Sequence, residues 1–323
     1  VPPVRLIVNP AAGGGKAARL APIAAQALRD EGLEVRREQT RDLDHARVLA
    51  REAVAAGETV VALSGDGLLG AMTDAVRELP GAVLGLVPGG RGNDLARVLG
   101  IPEDPVGAAA VIAAGHTREM DLGLVEEVSG GGPPRAFVGI ASVGFDSDAN
   151  RIANEAPSWL GGLVYAYGAL RALASWRHAT FDVELDPPGE HRLLRGFSVG
   201  AANSRAYGGG MRAAPAAMLD DGLLDVVALG AIGKGRFLTR ILPRVFKGTH
   251  VEDPQVTVMR AREIVLAADR PFTMYADGDP IGELPVRVRA LPAAVRMLVP
   301  AGGGEAFGGG RPGDGAAARQ TGG

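Results

Sequence analysis

Short, mostly apolar runs alternate with longer segments of three-to-four-residue apolar spacing through the first third of the chain. VRLIV (residues 4–8), LEVRREQ (33–39), TVVAL (59–63) and AVLGLV (82–87) have the length and character of strands. Between them, residues 17–30, 44–56, 68–79 and 93–99 carry helical spacing, the first closing near Gly32 and the last at Gly100 and Pro102. Strands and helices alternating through short loops predict a parallel sheet covered on both faces. Ligands of such sheets bind beyond the carboxyl ends of the strands. Four loops should therefore share one rim: residues 9–15, Thr40, residues 64–67 and residues 87–92.

From about Met120 the pattern changes. MDLGLVEE (120–127), RAFVGIAS (135–142), TFDVELD (180–186), RLLRGFSVGAAN (192–203) and LLDVVAL (223–229) are β-like and joined by Gly/Pro turns. Helical runs at residues 156–175 and 234–246 interrupt them. The expectation is an α/β parallel-sheet domain over residues 1–122, then a mostly antiparallel β domain, with a boundary near Asp121. The stretch from Ala301 is Gly-rich with little large and apolar, so residues 301–323 are expected to be a disordered tail. PSWLGGLVYAYGALRAL sets Leu160, Leu163, Val164, Tyr167 and Leu170 at helical spacing, a face suited to core packing, with lipid contact as the alternative.

Composition then removes classes of function. A net charge of −3 argues against nucleic acid as the main partner. The chain has no cysteine, which excludes disulfides, thiolate metal sites and a cysteine nucleophile, and fits a cytoplasmic protein. No run reaches the roughly 18 apolar residues of a spanning helix, and no signal-like stretch opens the sequence, so membrane contact should be peripheral.

The candidate chemistry lies in the loops. Gly13, Gly14, Gly15 and Lys16 stand between a strand and a helix, where bare backbone N–H groups can approach an anion. The spacing is neither a P-loop nor a dinucleotide fingerprint, and a plain Gly turn is the alternative. Ser64, Gly65, Asp66 and Gly67 put one carboxylate on the rim, suited either to holding Mg²⁺ against phosphate oxygens or to capping the next helix. Asn93 and Asp94 open a helix after Gly90 and Arg91, again as caps or as ligands. Asp277 and Asp279 flank Gly278, a pair that could share a proton or metal, or form a hairpin turn.

In order along the chain, VNPAAGGGK, SGDG, PGGRGNDLAR, MDLG, AANSRAYGGGMRAAPAAMLDDGLLDVV and YADGD resemble the motifs of the diacylglycerol kinase catalytic-domain family. These are soluble bacterial diacylglycerol and lipid kinases with sphingosine and ceramide kinases as relatives. The resemblance spans about Val4 to Pro300. It implies transfer of the ATP γ-phosphate to the hydroxyl of a diacylglycerol-like lipid, with ATP and Mg²⁺ as cofactors. It also implies peripheral membrane contact, and it allows a homodimer. The fold it implies is a nucleotide domain of the NAD-kinase and diacylglycerol-kinase kind, followed by a β-sandwich lipid-substrate domain over residues 123–290. Residues 291–300 would then rejoin the first domain.

By the same resemblance, Asn9, Gly13, Gly14, Gly15, Lys16 and Thr40 contact the nucleotide. Ser64, Gly65, Asp66, Gly67 and Leu68 lie under its phosphates, and Gly90, Arg91 and Asn93 form the next contact. Asp66, Asp94 and Asp121 resemble the acidic set that organises catalytic Mg²⁺. Met218, Asp221 and Leu223 fit a structural Mg²⁺ site using the Asp221 side chain and two backbone carbonyls. Asp277 and Asp279 occupy the motif that carries the general base, completing with Asp66 the catalytic set. The sequence departs from the family at Ser64, at Leu68 and Gly70 (Thr and Asn in the family), at Arg91 (Thr) and at Asp279 (Glu). Three rivals follow: a sphingoid or other lipid kinase, a weakened lipid- or nucleotide-binding relative, and an NAD kinase. The last lacks its second Gly-rich Asn motif here.

Overall fold

A computed structural model describes residues 1–156, 164–302 and 306–308. β1 (Val4–Val8), β2 (Val35–Gln39), β3 (Thr59–Ser64) and β4 (Val83–Pro88) pair in parallel in the order β2-β1-β3-β4. β1 and β3 are buried at every position, as central strands covered on both faces must be. α1 (Ala12–Asp30), α2 (Leu43–Ala55) and α3 (Asp66–Val76) connect them, and α4 (Asp94–Leu99) and α5 (Pro105–Ala114) follow β4. α5 left no periodic signal because PVGAAAVIAA is apolar or small all round; Asp104 caps it and Pro105 opens it.

β5 (Thr117–Glu127), β6 (Arg135–Phe137) and β7 (Ile140–Gly144) lead into α6 (Phe145–Glu155) and α7 (Val164–Ser175). β8 (Ala179–Leu185), β9 (Glu190–Ala202) and β10 (Leu224–Gly230) come next. Two short helices, α8 (Lys234–Arg236) and α9 (Leu242–Val245), flank a π-helical turn at Phe237–Ile241. β11 (Val256–Ala261), β12 (Glu263–Ala268), β13 (Thr273–Ala276), β14 (Asp279–Glu283) and β15 (Val286–Leu298) finish the chain. Pairing in this half is antiparallel, so the α/β unit followed by antiparallel β expected from the patterning is the architecture observed. α6 was not anticipated: DSDANRIANE is polar and reads as loop until its buried face is seen.

β15 joins the two halves. Near its start it pairs antiparallel with β12 and β5, and near its end Arg296 and Met297 pair in parallel with Val83 and Leu84 of β4. Each half keeps its own apolar cluster. The second is aromatic at its centre, with Phe197 stacked on Phe237 at 4.9 Å and Phe145 edge-on to both.

Two expectations need correcting. The face of α7 read as core is not core where it is described: Tyr167 is 37% and Leu170 58% exposed. Burial on that helix falls to Ala172 and Leu173 instead, while residues 157–163 lie outside the described residues. Within the segment expected to be a disordered tail, Ala306 and Phe307 belong to the first core. Leu219 N–H donates to the Ala306 carbonyl, Gly308 N–H to Asp220, and the Arg118 guanidinium lies 5.0 Å from the Phe307 ring. Phe307→Ala should lower the unfolding free energy by about 3 kcal/mol, read as a lower urea midpoint.

Candidate active site

Three loops meet backbone to backbone at the carboxyl ends of β1, β3 and β4. Gly13, at φ 61°, comes so close to the third loop that a Cβ there would sit 2.6 Å from the Gly89 carbonyl oxygen. A Cβ on Gly90 would collide with Gly65 Cα. Only residues without side chains let these strands' ends converge, and the result is a rim of close-packed backbone beside the N-terminus of α3. Asn93, in left-handed conformation at φ 52°, closes the third loop by accepting from Gly90 N–H and donating to the Gly90 carbonyl. Its amide is spent on the loop, and it does not line the cavity beside it.

Asp66 caps the next helix in space rather than its own. Its two oxygens accept from Asp94 N–H and Leu95 N–H, each at 3.0 Å. Asp94 in turn accepts from Gly209 N–H at 2.7 Å and Gly210 N–H at 2.6 Å, and pairs with Arg97. Burial, helped by the nearby Asp66 charge, raises the Asp94 pKa even though those N–H groups pull it down. Between the two carboxylates Gly92 leaves a gap: a Cβ there would lie 3.2 Å from Asp94 Oδ2 and 3.4 Å from Asp66 Oδ2. That cradle, with a free lone pair on each oxygen, fits a small divalent cation.

Asp121 does not join them. It is 3% exposed, its oxygens accept from Gly222 N–H and Ala293 N–H, and its carbonyl accepts from the Asn203 amide. It ties β5 to the bulge in β15, and the expected three-carboxylate set is not assembled. Among the described residues no group of three or more His, Cys, Asp or Glu could hold a metal. Asp221 accepts from Leu223 N–H in a local turn and lies 3.4 Å from Arg260, so that turn has its own internal partners; Met218 Sδ is met by Arg205. Thr40 is likewise turned away: its hydroxyl donates to the Asp42 carbonyl at the start of α2, and it does not line the cavity. Gly15 and Lys16 also fall outside the lining, whereas Asn9, Gly13, Gly14, Ser64, Gly65, Asp66, Gly67, Leu68, Gly90 and Arg91 are within it.

Across from the rim, Asp277 sits at φ 51° with Oδ2 accepting from Val138 N–H and Oδ1 from Gly139 N–H. Burial, reinforced by Asp66, pushes its carboxyl up to about 6. Gly70 explains itself here, since a Cβ would approach Asp277 Oδ2 to 3.3 Å. Leu68, 3% exposed, belongs to the first core. Asp279 lies just outside the lining, with burial raising its pKa against the pull of Arg135 and Arg47.

Sequence reasoning missed four contributors. Asp146, in the first turn of α6, lines the cavity, and burial lifts its carboxyl to about 6. Tyr207 lines it too, its hydroxyl held well above its usual range by burial and by Asp146 and Asp94. Gly209 and Gly210 bring the second half onto Asp94; the Gly208–Gly210 triplet, echoing residues 13–15, was the available signal.

The family described as diacylglycerol kinase catalytic domain matches residues 3–125, and the YegS C-terminal NAD kinase beta sandwich-like domain matches residues 139–299. A diacylglycerol kinase of Mycobacterium tuberculosis (strain ATCC 25618 / H37Rv) is 34% identical over 302 residues, covering 92% of this chain and 95% of that one. The chain belongs to the diacylglycerol kinase family. It is a lipid kinase. A Stenotrophomonas maltophilia protein named "Probable lipid kinase YegS-like" is 30% identical over 307 residues, covering 92% of this chain and 96% of its own. A solved diacylglycerol kinase structure from Bacillus anthracis str. Sterne superposes with a TM-score of 0.71 at 20% identity, covering 93% and 98% of the two chains, a likeness of fold.

Gly90→Ala in this kinase should force the loops apart at a cost of about 1–3 kcal/mol, seen as a lower melting temperature, and should weaken ATP binding measured by calorimetry.

Proposed function

We propose that the protein phosphorylates a diacylglycerol, the γ-phosphoryl group of ATP passing to the free hydroxyl to give phosphatidic acid and ADP. One observation carries this reading: a cavity of about 690 Å³ is shared by the glycine rim and an apolar wall made of Phe145, Val227, Leu229, Phe237, Ile241 and Val245. A polyphosphate suits the first end and acyl chains the second. Asp66 and Asp277 line the same cavity.

In this reading the phosphates rest on the backbone of residues 13–14 and 64–67 and on the N-terminal dipole of α3, because the Gly89 and Gly90 N–H groups are already donated to Ser64 and Asn93. Arg91, exposed at the mouth, adds a permanent positive charge. Mg²⁺, when it accompanies ATP, would be held by Asp66 and Asp94 and would supply neutralisation of charge on the phosphate oxygens. Asp277 acts as general base. Its orientation is fixed by the two N–H bonds, and with a pKa of about 6 it is ionised at neutral pH yet basic enough to take a proton. As the acceptor oxygen bonds to phosphorus, its proton moves to Asp277 and the bridging P–O bond to ADP breaks.

A second reading has its own observation. Asp146 adds a carboxylate to the wall of the same cavity, where the ammonium of a long-chain sphingoid amine would pair with it. Purified protein with Mg²⁺, [γ-³²P]ATP and separate diacylglycerol, sphingosine and NAD acceptors separates the readings. Label in phosphatidic acid is expected; label in the sphingoid product moves the assignment to the amine, and label in none overturns kinase activity on lipids of either kind.

Asp277→Asn should lower kcat by about 100-fold or more, with Asp279→Asn costing far less; the reverse ranking would move the base to Asp279. The sign of the pH dependence follows from protonation disabling the base. Below about pH 6 the wild-type kcat should fall about tenfold per unit, and a steady-state profile should level off above it.

A further inference from the structure

A second cavity, of about 370 Å³, opens on the other side of α6 from the larger one. α6 divides the two: Asp146, Ala149 and Asn150 line the larger, and Ser147, Asp148 and Arg151 line the smaller. They share no lining residue. The residues just after α7 and the turn between β12 and β13 complete the smaller cavity, bringing in Trp176, Arg177 and Arg270. The proposed phosphoryl transfer uses none of these groups.

Three guanidinium groups line this cavity against one carboxylate, Asp148. Arg151 is already held, by Asp148 at 3.9 Å and by Glu155 at 3.3 Å. Arg177 and Arg270 have no carboxylate in ion-pair range among the described residues, and Asp148 acts on Arg270 only from further off. Arg270 is nonetheless fixed in place. Its Cζ lies 5.2 Å from the Trp176 ring and 4.9 Å from the Phe272 ring, and Nη2 donates to the Arg177 carbonyl at 2.8 Å. Trp176 adds a buried donor: it is 5% exposed, and its indole N–H has no partner among the described residues. An unmet buried donor costs about 1–3 kcal/mol, so one on a cavity wall calls for an acceptor inside. Trp176 lines this cavity and not the larger one. Burial also keeps the Tyr275 hydroxyl, on the same wall, in its protonated donor form.

A pre-positioned guanidinium, a second free one and neutral donors suit an oxyanion, and a phosphate above others. The volume leaves room for a small polar body beside the phosphate. Apart from Pro271 no aliphatic side chain lines the cavity, so an acyl chain has no wall to lie on.

We infer that the cavity behind α6 is a binding site for a small water-soluble phosphomonoester, with Arg177, Arg270 and Trp176 as its donors. Asp148, drawn to Arg151 and Arg270, is the internal rival of that ligand. Because α6 walls both cavities, a ligand here braces the helix that carries Asp146. The site is independent of the lipid-acceptor reading, and its test needs neither ATP nor acceptor.

Trp159 and Trp176 are the two tryptophans of the chain, so Trp159→Phe leaves Trp176 as the sole indole reporter. In that background glycerol 3-phosphate should change Trp176 emission saturably, beyond the effect of potassium chloride at matched ionic strength. Arg177→Gln and Arg270→Gln should each weaken binding roughly tenfold, through the loss of a charge-assisted hydrogen bond. Arg177 is exposed and decides the matter if Arg270→Gln lowers the melting temperature. Asp148→Asn should tighten binding severalfold, a gain that a merely structural role would not give. Arg91→Gln, at the mouth of the larger cavity, should leave it unchanged. No saturable signal, a signal that chloride reproduces, unaltered binding in Arg177→Gln, or no tightening in Asp148→Asn overturns the site. An equal loss in Arg91→Gln does so too, because the anion would then sit on the glycine rim. A response to vesicles containing phosphatidic acid with none to glycerol 3-phosphate overturns the water-soluble ligand.

Discussion

Everything at this site hangs on two carboxylates used in series. Asp66 collects the first two free N–H groups of α4, and Asp94, which donates one of them, collects the N–H groups of Gly209 and Gly210. The series runs from the end of β3, through α4, into a loop of the second half. The Gly209 and Gly210 N–H groups favour the charged form of Asp94, while burial, the larger effect, still raises its pKa. Asp66 Oδ2 and Asp94 Oδ2 both border the gap over Gly92, so the hydrogen bonds that join the two halves also fix the spacing of the carboxylates there.

A third carboxylate does comparable work away from the cavity. Asp121 gathers β5, the turn at Gly222 and the β15 bulge around Ala293, and Asn203 adds a bridge from its amide to the Asp121 and Val138 carbonyls. Val138 is also one of the two donors that orient Asp277. Asn203 and Asp277 therefore act on the same short link between β6 and β7, from opposite sides. The rigidity of the base in the proposed mechanism comes from this link, not from the turn on which Asp277 itself sits.

The departures from the family pattern become physical facts in this setting. Gly70 makes room for the Asp277 carboxylate, Leu68 fills core, and Arg91 stands exposed at the cavity mouth where it can reach an anion. Asp279, one methylene short of the family's Glu, stays outside the cavity lining while Asp277 is inside it. Of the residues expected near the rim, Gly13, Gly14, Ser64, Gly65, Asp66, Gly67, Gly90 and Arg91 line the cavity. Thr40, Asn93 and Asp121 do not, and their side chains are engaged with backbone groups instead.

By itself the sequence determined the alternation of strand and helix, the change to antiparallel β near Met120, the family, and the glycine loops, because periodicity and missing side chains are local properties. Only the tertiary structure decided that Asp66 caps α4 and not α3, that Asp146 and Tyr207 share the cavity, that α6 is a helix and that Phe307 is core. Each of these depends on partners far away along the chain, and burial or hydrogen bonding by a distant partner leaves no mark on local spacing.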